Sequence, residues 1–259
     1  MLLAIDIGNS DITIGLWNGE AWVSQWRIPS RTEFPEVSYA VKLRDLFLED
    51  SQAVDNVKTI VLSSVVPGLT EKIKNVTKSL FEKEPILLGP AVYAQLPLTI
   101  LSPHEIGSDL VANAVGAYFK LKQTCIVVDF GTATSFDIVN QQGEFIGGII
   151  APGLNLQMKV LNKFTSKLPK IDVATADKVI GNNTSEAILS GVIRGSASMI
   201  DGLVLECEKE LGSKVTLIAT GGYSGLISSY LKRPFDFINP TLTLEGLRFL
   251  YDLNAKKKV

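Results

Sequence analysis

Two stretches of this chain, far apart in the sequence, are written in the same grammar. Near the N-terminus an apolar run, Leu2–Ile5, gives way to Asp6-Ile7-Gly8-Asn9-Ser10 and returns as alternating Ile12, Ile14 and Leu16. From Cys125 the order repeats: Ile126-Val127-Val128, then Asp129-Phe130-Gly131-Thr132, then Phe136, Ile138 and Val139. Asp6 answers to Asp129, Gly8 to Gly131 and Asn9 to Thr132. A strand that breaks at a carboxylate, turns through glycine and returns with period-two alternation is a β-hairpin. Its tip suits anions, because glycine lets backbone N–H groups approach phosphate oxygens. The aspartate can hold magnesium through water while phosphates supply other ligands. One such turn is ordinary; two, each heading a repeated unit, point to phosphate chemistry.

The rest of the chain fits around these hairpins. Trp22–Ile28 supplies a third strand, Glu36–Asp50 a helix with apolar Val37, Ala40, Val41, Leu43, Leu46 and Phe47, and Thr59–Val66 a buried strand. A helix from Pro67 to about Lys83 and a short strand Pro85–Leu88 follow. In the second unit, a turn at Gln141–Glu144 leads into strand Phe145–Ile150 and helices Leu154–Phe164 and Ser185–Leu211. Strand Thr216–Thr220, a helical Ser224–Leu231 and a closing helix Leu242–Tyr251 complete it. Strands alternating with helices predict an α/β layer architecture. No linker separates the halves, so the boundary is set where the motif restarts, giving halves 1–118 and 119–259.

Composition narrows the function. Hydrophobic residues at 46% and charged residues at 20% describe a globular chain, and the net charge of -2 argues against a nucleic-acid surface. The basic run Lys256–Lys258 reads as a solvated end. Cys125 and Cys207 cannot build a disulfide framework, and a single histidine, His104, leaves no material for a Ser-His-Asp triad or the usual metal clusters. Met1–Ile5 has no basic leader and no uninterrupted apolar stretch approaches the roughly 20 residues that span a bilayer. The expectation is a soluble cytoplasmic protein with no membrane or nucleic-acid partner.

Two further elements carry chemistry. Asp109 precedes a helical run, Leu110–Leu121, where it is expected to be the N-cap and, functionally, a general base accepting a hydroxyl proton during phosphoryl transfer. Ala219-Thr220-Gly221-Gly222 follows a strand and suits the face of an adenosine. Gly147-Gly148-Ile149-Ile150-Ala151-Pro152-Gly153 and Gly181-Asn182-Asn183-Thr184 complete a set that, with Asp6–Ser10, Gly107–Asp109 and Asp129–Thr134, occurs in a fixed order.

In that order the motifs resemble those of the type III pantothenate kinases, within the acetate/sugar kinase, Hsp70 and actin superfamily, and the likeness runs from Met1 to Tyr251. The resemblance implies two similar ribonuclease H-like α/β halves, as in the actin-like ATPases, facing an interdomain cleft. It implies a homodimer that uses ATP, magnesium and a monovalent cation, potassium or ammonium, to phosphorylate the 4′-hydroxyl of pantothenate, the first step of coenzyme A synthesis. Asp6 would hold magnesium through water and position phosphate; Gly8, Asn9 and Ser10 would form the first phosphate loop, Gly131 and Thr132 the second. Asp129 would bind the monovalent cation, Gly221 would serve ATP, and Asp109 would be the base. Gly107, Ser108, Asp109 and Thr184 would contact pantothenate, Thr184 across the dimer. Leu110 and Ile100 stand where the family has Arg and Tyr. That departure admits a non-catalytic regulatory relative like the Bvg accessory factors, or a kinase for another acceptor, as alternatives.

Overall fold

The computed structural model describes residues 1–93, 96, 98–100 and 102–256; of the basic run, Lys257 and Lys258 lie outside the described residues, as does the Lys256 side chain. The chain forms two compact units. The first contains Met1–Lys122, Gln142–Phe145 and the segment from Leu242 onward; the second contains Gln123–Gln141 and Ile146–Thr241. Where the sequence suggests one cut after Tyr118, the closing helix instead belongs with the first unit.

The first unit is built from β1 (Leu2–Ile7), β2 (Asp11–Trp17), β3 (Trp22–Pro29), α1 (Glu36–Glu49), β4 (Thr59–Ser64), α2 (Pro67–Phe81), β5 (Ile86–Leu87), α3 (Pro90–Tyr93), β6 (Thr99–Ile100) and α4 (Ser108–Leu121). Its sheet runs β3-β2-β1-β4-β5, with β1 antiparallel to β2 and parallel to β4. Because side chains alternate along a strand, Leu3, Ile5 and Ile7 face one side, where they meet Tyr39, Leu43 and Phe47 of α1 and Leu69, Ile73 and Val76 of α2. The buried stripe of α1 is therefore Tyr39-Leu43-Phe47, and Val37 and Val41, two of the apolar positions in the sequence pattern, are exposed. Tyr39 sets that rotation: its hydroxyl accepts from the Arg31 N–H at 2.8 Å and lies 3.0 Å from the Arg31 carbonyl.

Leu2, Ala4 and Asp6 point to the other side of the sheet, which α4 and the last helix, α9 (Leu242–Lys256), cover. These two helices touch backbone to backbone. A Cβ at Gly116 would stand 2.7 Å from the Leu242 carbonyl oxygen, and one at Gly246 would be driven into the backbone of Ala112. The Thr243 hydroxyl adds a 2.7 Å hydrogen bond to the Asn113 side-chain carbonyl.

The second unit comprises β7 (Cys125–Phe130), β8 (Ala133–Val139), β9 (Glu144–Pro152), α5 (Leu154–Lys163), α6 (Thr184–Leu189), α7 (Gly195–Leu211), β10 (Thr216–Gly221), α8 (Ser224–Ser228) and β11 (Phe237–Ile238). The first residues of β9, Glu144 and Phe145, pair with β6 in the first unit. The sheet order β9-β8-β7-β10-β11 reproduces β3-β2-β1-β4-β5, again with the first hairpin antiparallel and the next neighbour parallel. The repeat seen in the sequence is thus a repeat of ribonuclease H-like topology. A π-helical turn, Ser190–Arg194, joins α6 to α7 in one rod, Thr184–Leu211, long and apolar enough by length and composition to cross a membrane. Its Val192, Ile193, Ala197, Ile200 and Val204 lie in the core of the second unit, so it reads as the core helix of that unit.

Adding a methyl at the α4–α9 crossing sets two effects against each other. Ala exceeds Gly in helix propensity by about 1 kcal/mol, whereas overpacking costs about 1–3 kcal/mol. With backbone rather than a flexible side chain in the way, the clash wins. Gly246→Ala is expected to lower stability by about 1–2 kcal/mol in urea unfolding; an unchanged or raised midpoint would refute the close crossing.

Candidate active site

In the first unit the site is assembled at the ends of β1 and β4. Asp6 stands in register with Ser63 on the α4 side of the sheet, since Leu62 and Ile60 face the opposite core. Ser63 and Ser64 hold α4 by its first residue. The Ser108 hydroxyl accepts from the Ser64 N–H at 3.0 Å, lies 2.9 Å from the Ser63 hydroxyl and donates to the Ser64 carbonyl at 3.1 Å. With one proton to give, Ser108 is satisfied only if Ser63 donates to it. The next residue, Asp109, is thereby fixed at the strand end that carries Asp6.

Asp109 is not the N-cap of α4. That position is Gly107, in extended conformation, and Asp109 lies in the first turn. Its Oδ1 accepts from the Leu110 N–H at 2.9 Å, turning the carboxylate back over Gly107, where a Cβ would come within 2.5 Å of it. Burial pushes the Asp109 carboxyl above its ordinary value, and the hydrogen bonds from the Leu110 and Asp109 N–H groups hold it down in part. Tyr93, buried at the end of α3, feels the Asp109 charge; burial first and that charge second raise its phenol to about 12, so it remains a neutral O–H.

The first loop is closed by the Gly8 N–H donating to the Asp11 carbonyl at 3.0 Å. Ser30, just beyond β3, ties its back. The Ser30 hydroxyl donates to the Gly8 carbonyl at 2.6 Å and its N–H to the Ser10 carbonyl at 2.9 Å. Both carbonyls are thus turned toward Ser30, and exposed Asn9 and Ser10 form the tip.

The second unit repeats this plan with one residue less. Ile7 pairs with Ile12, leaving Gly8 to Asp11 between them, whereas Phe130 pairs with Thr134, leaving only Gly131 to Ala133. The Gly131 N–H donates to the Ala133 carbonyl at 3.0 Å, and the Gly153 N–H, just beyond β9, donates to the Thr132 carbonyl at 3.1 Å. Asp129 shares a face with Ser135 and Thr220, its partners in register. A Cβ on Gly221 would lie 2.8 Å from Asp129 Oδ1, and Gly221 holds φ +85, so both space and backbone demand glycine there. Asp129, Gly131, Thr132 and Gly221 therefore come together in this unit, as Asp6, Gly8, Asn9, Ser10, Gly107, Ser108 and Asp109 do in the other. Thr184 belongs to a third element: it opens α6, capped by Asn183, whose side chain accepts from the Glu186 N–H at 3.0 Å.

Among the described residues no three His, Cys, Asp or Glu side chains cluster to hold a metal unaided. Single carboxylates at two loops suit cations that arrive with phosphate oxygens as most of their ligands. Sequence reasoning passed over Ser30, Tyr93, Ser63 and Ser64. Ser30 had a signal: Pro29-Ser30 after the third strand answers to Pro152-Gly153 in the repeat. Tyr93 and the two serines had none beyond lying near strand and helix ends.

The family model for type III pantothenate kinase matches residues 2–206. A type III pantothenate kinase of Myxococcus xanthus is 38% identical over 254 residues, 98% of this chain and 99% of its own. Among solved structures, a Campylobacter jejuni protein described under the Baf family of transcriptional activators is 21% identical with a TM-score of 0.60, over 98% of this chain and 99% of that one. The activator of 2-hydroxyisocaproyl-CoA dehydratase from Clostridium difficile, solved with ADPNP bound, is 14% identical with a TM-score of 0.59, over 99% and 97%. At these identities the two structures speak for the fold alone.

Removing the Ser30 hydroxyl strands the Gly8 carbonyl. Ser30→Ala is expected to cost about 1–2 kcal/mol of stability and to weaken ATP binding, while Ser30→Thr keeps both. Urea unfolding and calorimetric ATP titration check this; an alanine variant that binds ATP like wild type would show the tie to be irrelevant.

Proposed function

Because the chain belongs to the type III pantothenate kinase family, we propose that it transfers the γ-phosphoryl group of ATP to the 4′-hydroxyl of pantothenate, with Asp109 as the base. The observation that carries this reading is the Ser63-Ser108-Ser64 hydrogen-bond set, which fixes Asp109 at the strand end bearing Asp6. A carboxylate raised by burial yet still accepting two N–H bonds is suited to take a hydroxyl proton. Phosphoryl transfer asks little covalent chemistry of a protein, so positioning and charge neutralisation carry the rate.

On this reading Gly8, Asn9 and Ser10 cradle phosphates in one unit, and Gly131 and Thr132 do so in the other, with Gly221 against the adenosine. Magnesium, held through water at Asp6, and potassium or ammonium, at Asp129, would neutralise phosphate charge when bound. Gly107, Ser108 and Thr184 would meet pantothenate. ADPNP bound on the same fold in the dehydratase activator supports a nucleotide site. A homodimer is supported by exposed Ile146 and Ile150 on β9, Leu156, Val160 and Phe164 on and beyond α5, and Val179 and Ile180 before α6. The substrates suit a cytoplasmic enzyme.

Asp109→Asn keeps the size of the side chain and an acceptor for the Leu110 N–H but cannot take the proton. A coupled ADP-release assay with pantothenate should record a loss of roughly 10²–10⁴-fold in kcat; full turnover would remove Asp109 from the chemistry. In the wild type, activity should fall as pH drops through a value above the ordinary carboxylate range. The sign of the stability effect is opposite: the native state keeps this proton longer than the unfolded chain. Stability therefore declines as pH rises from the ordinary carboxylate value through the raised one. Asp109→Asn should flatten that decline.

If Asp129 holds a monovalent cation, replacing potassium with sodium should weaken ATP binding, and Asp129→Asn should abolish most of the difference. Equal affinities in both salts for the wild type would assign Asp129 another role.

A further inference from the structure

We infer that Arg194 is a positioning residue for the acceptor, acting through the segment that ends in Thr184; this rests on the reading of Thr184 as a pantothenate contact. Between Lys163 and Thr184 the chain forms neither helix nor strand, an unusual length of irregular backbone for a compact unit and one that generally serves a function. Its last part is held at three points by the rod beneath it. Arg194 Nε donates to the Ala176 carbonyl at 3.0 Å and its Nη2 to the Asp177 carbonyl at 3.2 Å. The guanidinium lies over the Tyr230 ring, 5.0 Å from its centroid, and the Tyr230 hydroxyl accepts from the Ala176 N–H at 2.8 Å. One helical turn earlier, the Ser190 hydroxyl donates to the Val179 carbonyl at 2.6 Å.

Ser190 and Arg194 are the first and last residues of the π-helical turn, a feature that recurs at functional sites. From Val179 the chain reaches Thr184 through Gly181, which packs against the Glu186 and Ala187 backbone so closely that no Cβ fits. The Glu186 carboxylate accepts from the Asn182 N–H at 2.9 Å. The tip is thus held at both ends, by α6 through Gly181 and Asn182, and by Arg194 and Ser190 through Ala176, Asp177 and Val179. The planar fork reaches two carbonyls at once, which a lysine ammonium on a flexible stem cannot match.

The test is steady-state kinetics with pantothenate and ATP varied separately, in wild type, Arg194→Ala, Arg194→Lys, Thr184→Ala and the Arg194→Ala/Thr184→Ala pair. A loosened tip should raise KM for pantothenate about tenfold in Arg194→Ala while kcat and KM for ATP stay within about twofold. Arg194→Lys should fall between the wild type and the alanine variant, and the double variant should add little to Thr184→Ala alone. Hydrogen exchange should rise across 164–183 in Arg194→Ala and remain unchanged in β7 and β10. If Thr184→Ala raises KM for pantothenate but Arg194→Ala does not, or shifts all kinetic constants together with a fall in Tm, the positioning role is overturned while the reading of Thr184 stands. If Thr184→Ala leaves that KM unchanged, the reading of Thr184 fails and the inference with it.

Discussion

The Gly8 N–H donates to the Asp11 carbonyl at 3.0 Å, and the turn this bond closes decides where the chemistry can sit. A strand in the middle of a sheet has no free backbone groups until it ends, so an anion must be met at a strand end. Glycine allows the turn to begin only two residues after the carboxylate, with Asp6 still aligned by its strand neighbours. The partner strand β4 ends beside it, and α4 must start where Ser63 and Ser64 can satisfy Ser108. Strand end, loop and helix start are therefore one arrangement of hydrogen bonds, not three sites that happen to be near.

The two units reach this arrangement by the same connectivity with different tips. In each, the residue after the proline that ends the third strand donates its N–H to the loop: Ser30 to Ser10, Gly153 to Thr132. Serine adds a second bond from its hydroxyl to Gly8. At Gly153 even a Cβ would meet the Gly131 and Thr132 carbonyl oxygens at 2.5 Å, so the shorter loop lies closer to its support. A repeat can thus keep its fold while each copy tunes how tightly its hairpin loop is held.

Much of the fold could be read from the residues because alternation and turn chemistry are local. Hairpins, their aspartates and most helices follow from period and punctuation. What escaped depends on contacts between distant segments. Val37 and Val41 fit the helical period as well as Leu43 does, but a hydroxyl on Tyr39 bonded to Arg31 rotates them outward. Asp109 has the sequence context of a cap, yet Ser108 is already helical because two serines from β4 hold it there. The return of α9 to the first unit rests on two glycines, Gly116 and Gly246, whose message is the absence of a side chain.

That return also orders the birth of the molecule. A chain leaving the ribosome presents β1 to α4 long before α9 exists, so Ala112, Gly116 and Phe119, which meet α9, must wait uncovered. The segments of the second unit are all complete by Thr241, ahead of Leu242. The contacts that cover α4 join residues about half the chain apart and are the slowest kind to form. A chain that stops before Leu242 therefore carries every segment of the second unit, while α4 lacks the helix it packs against.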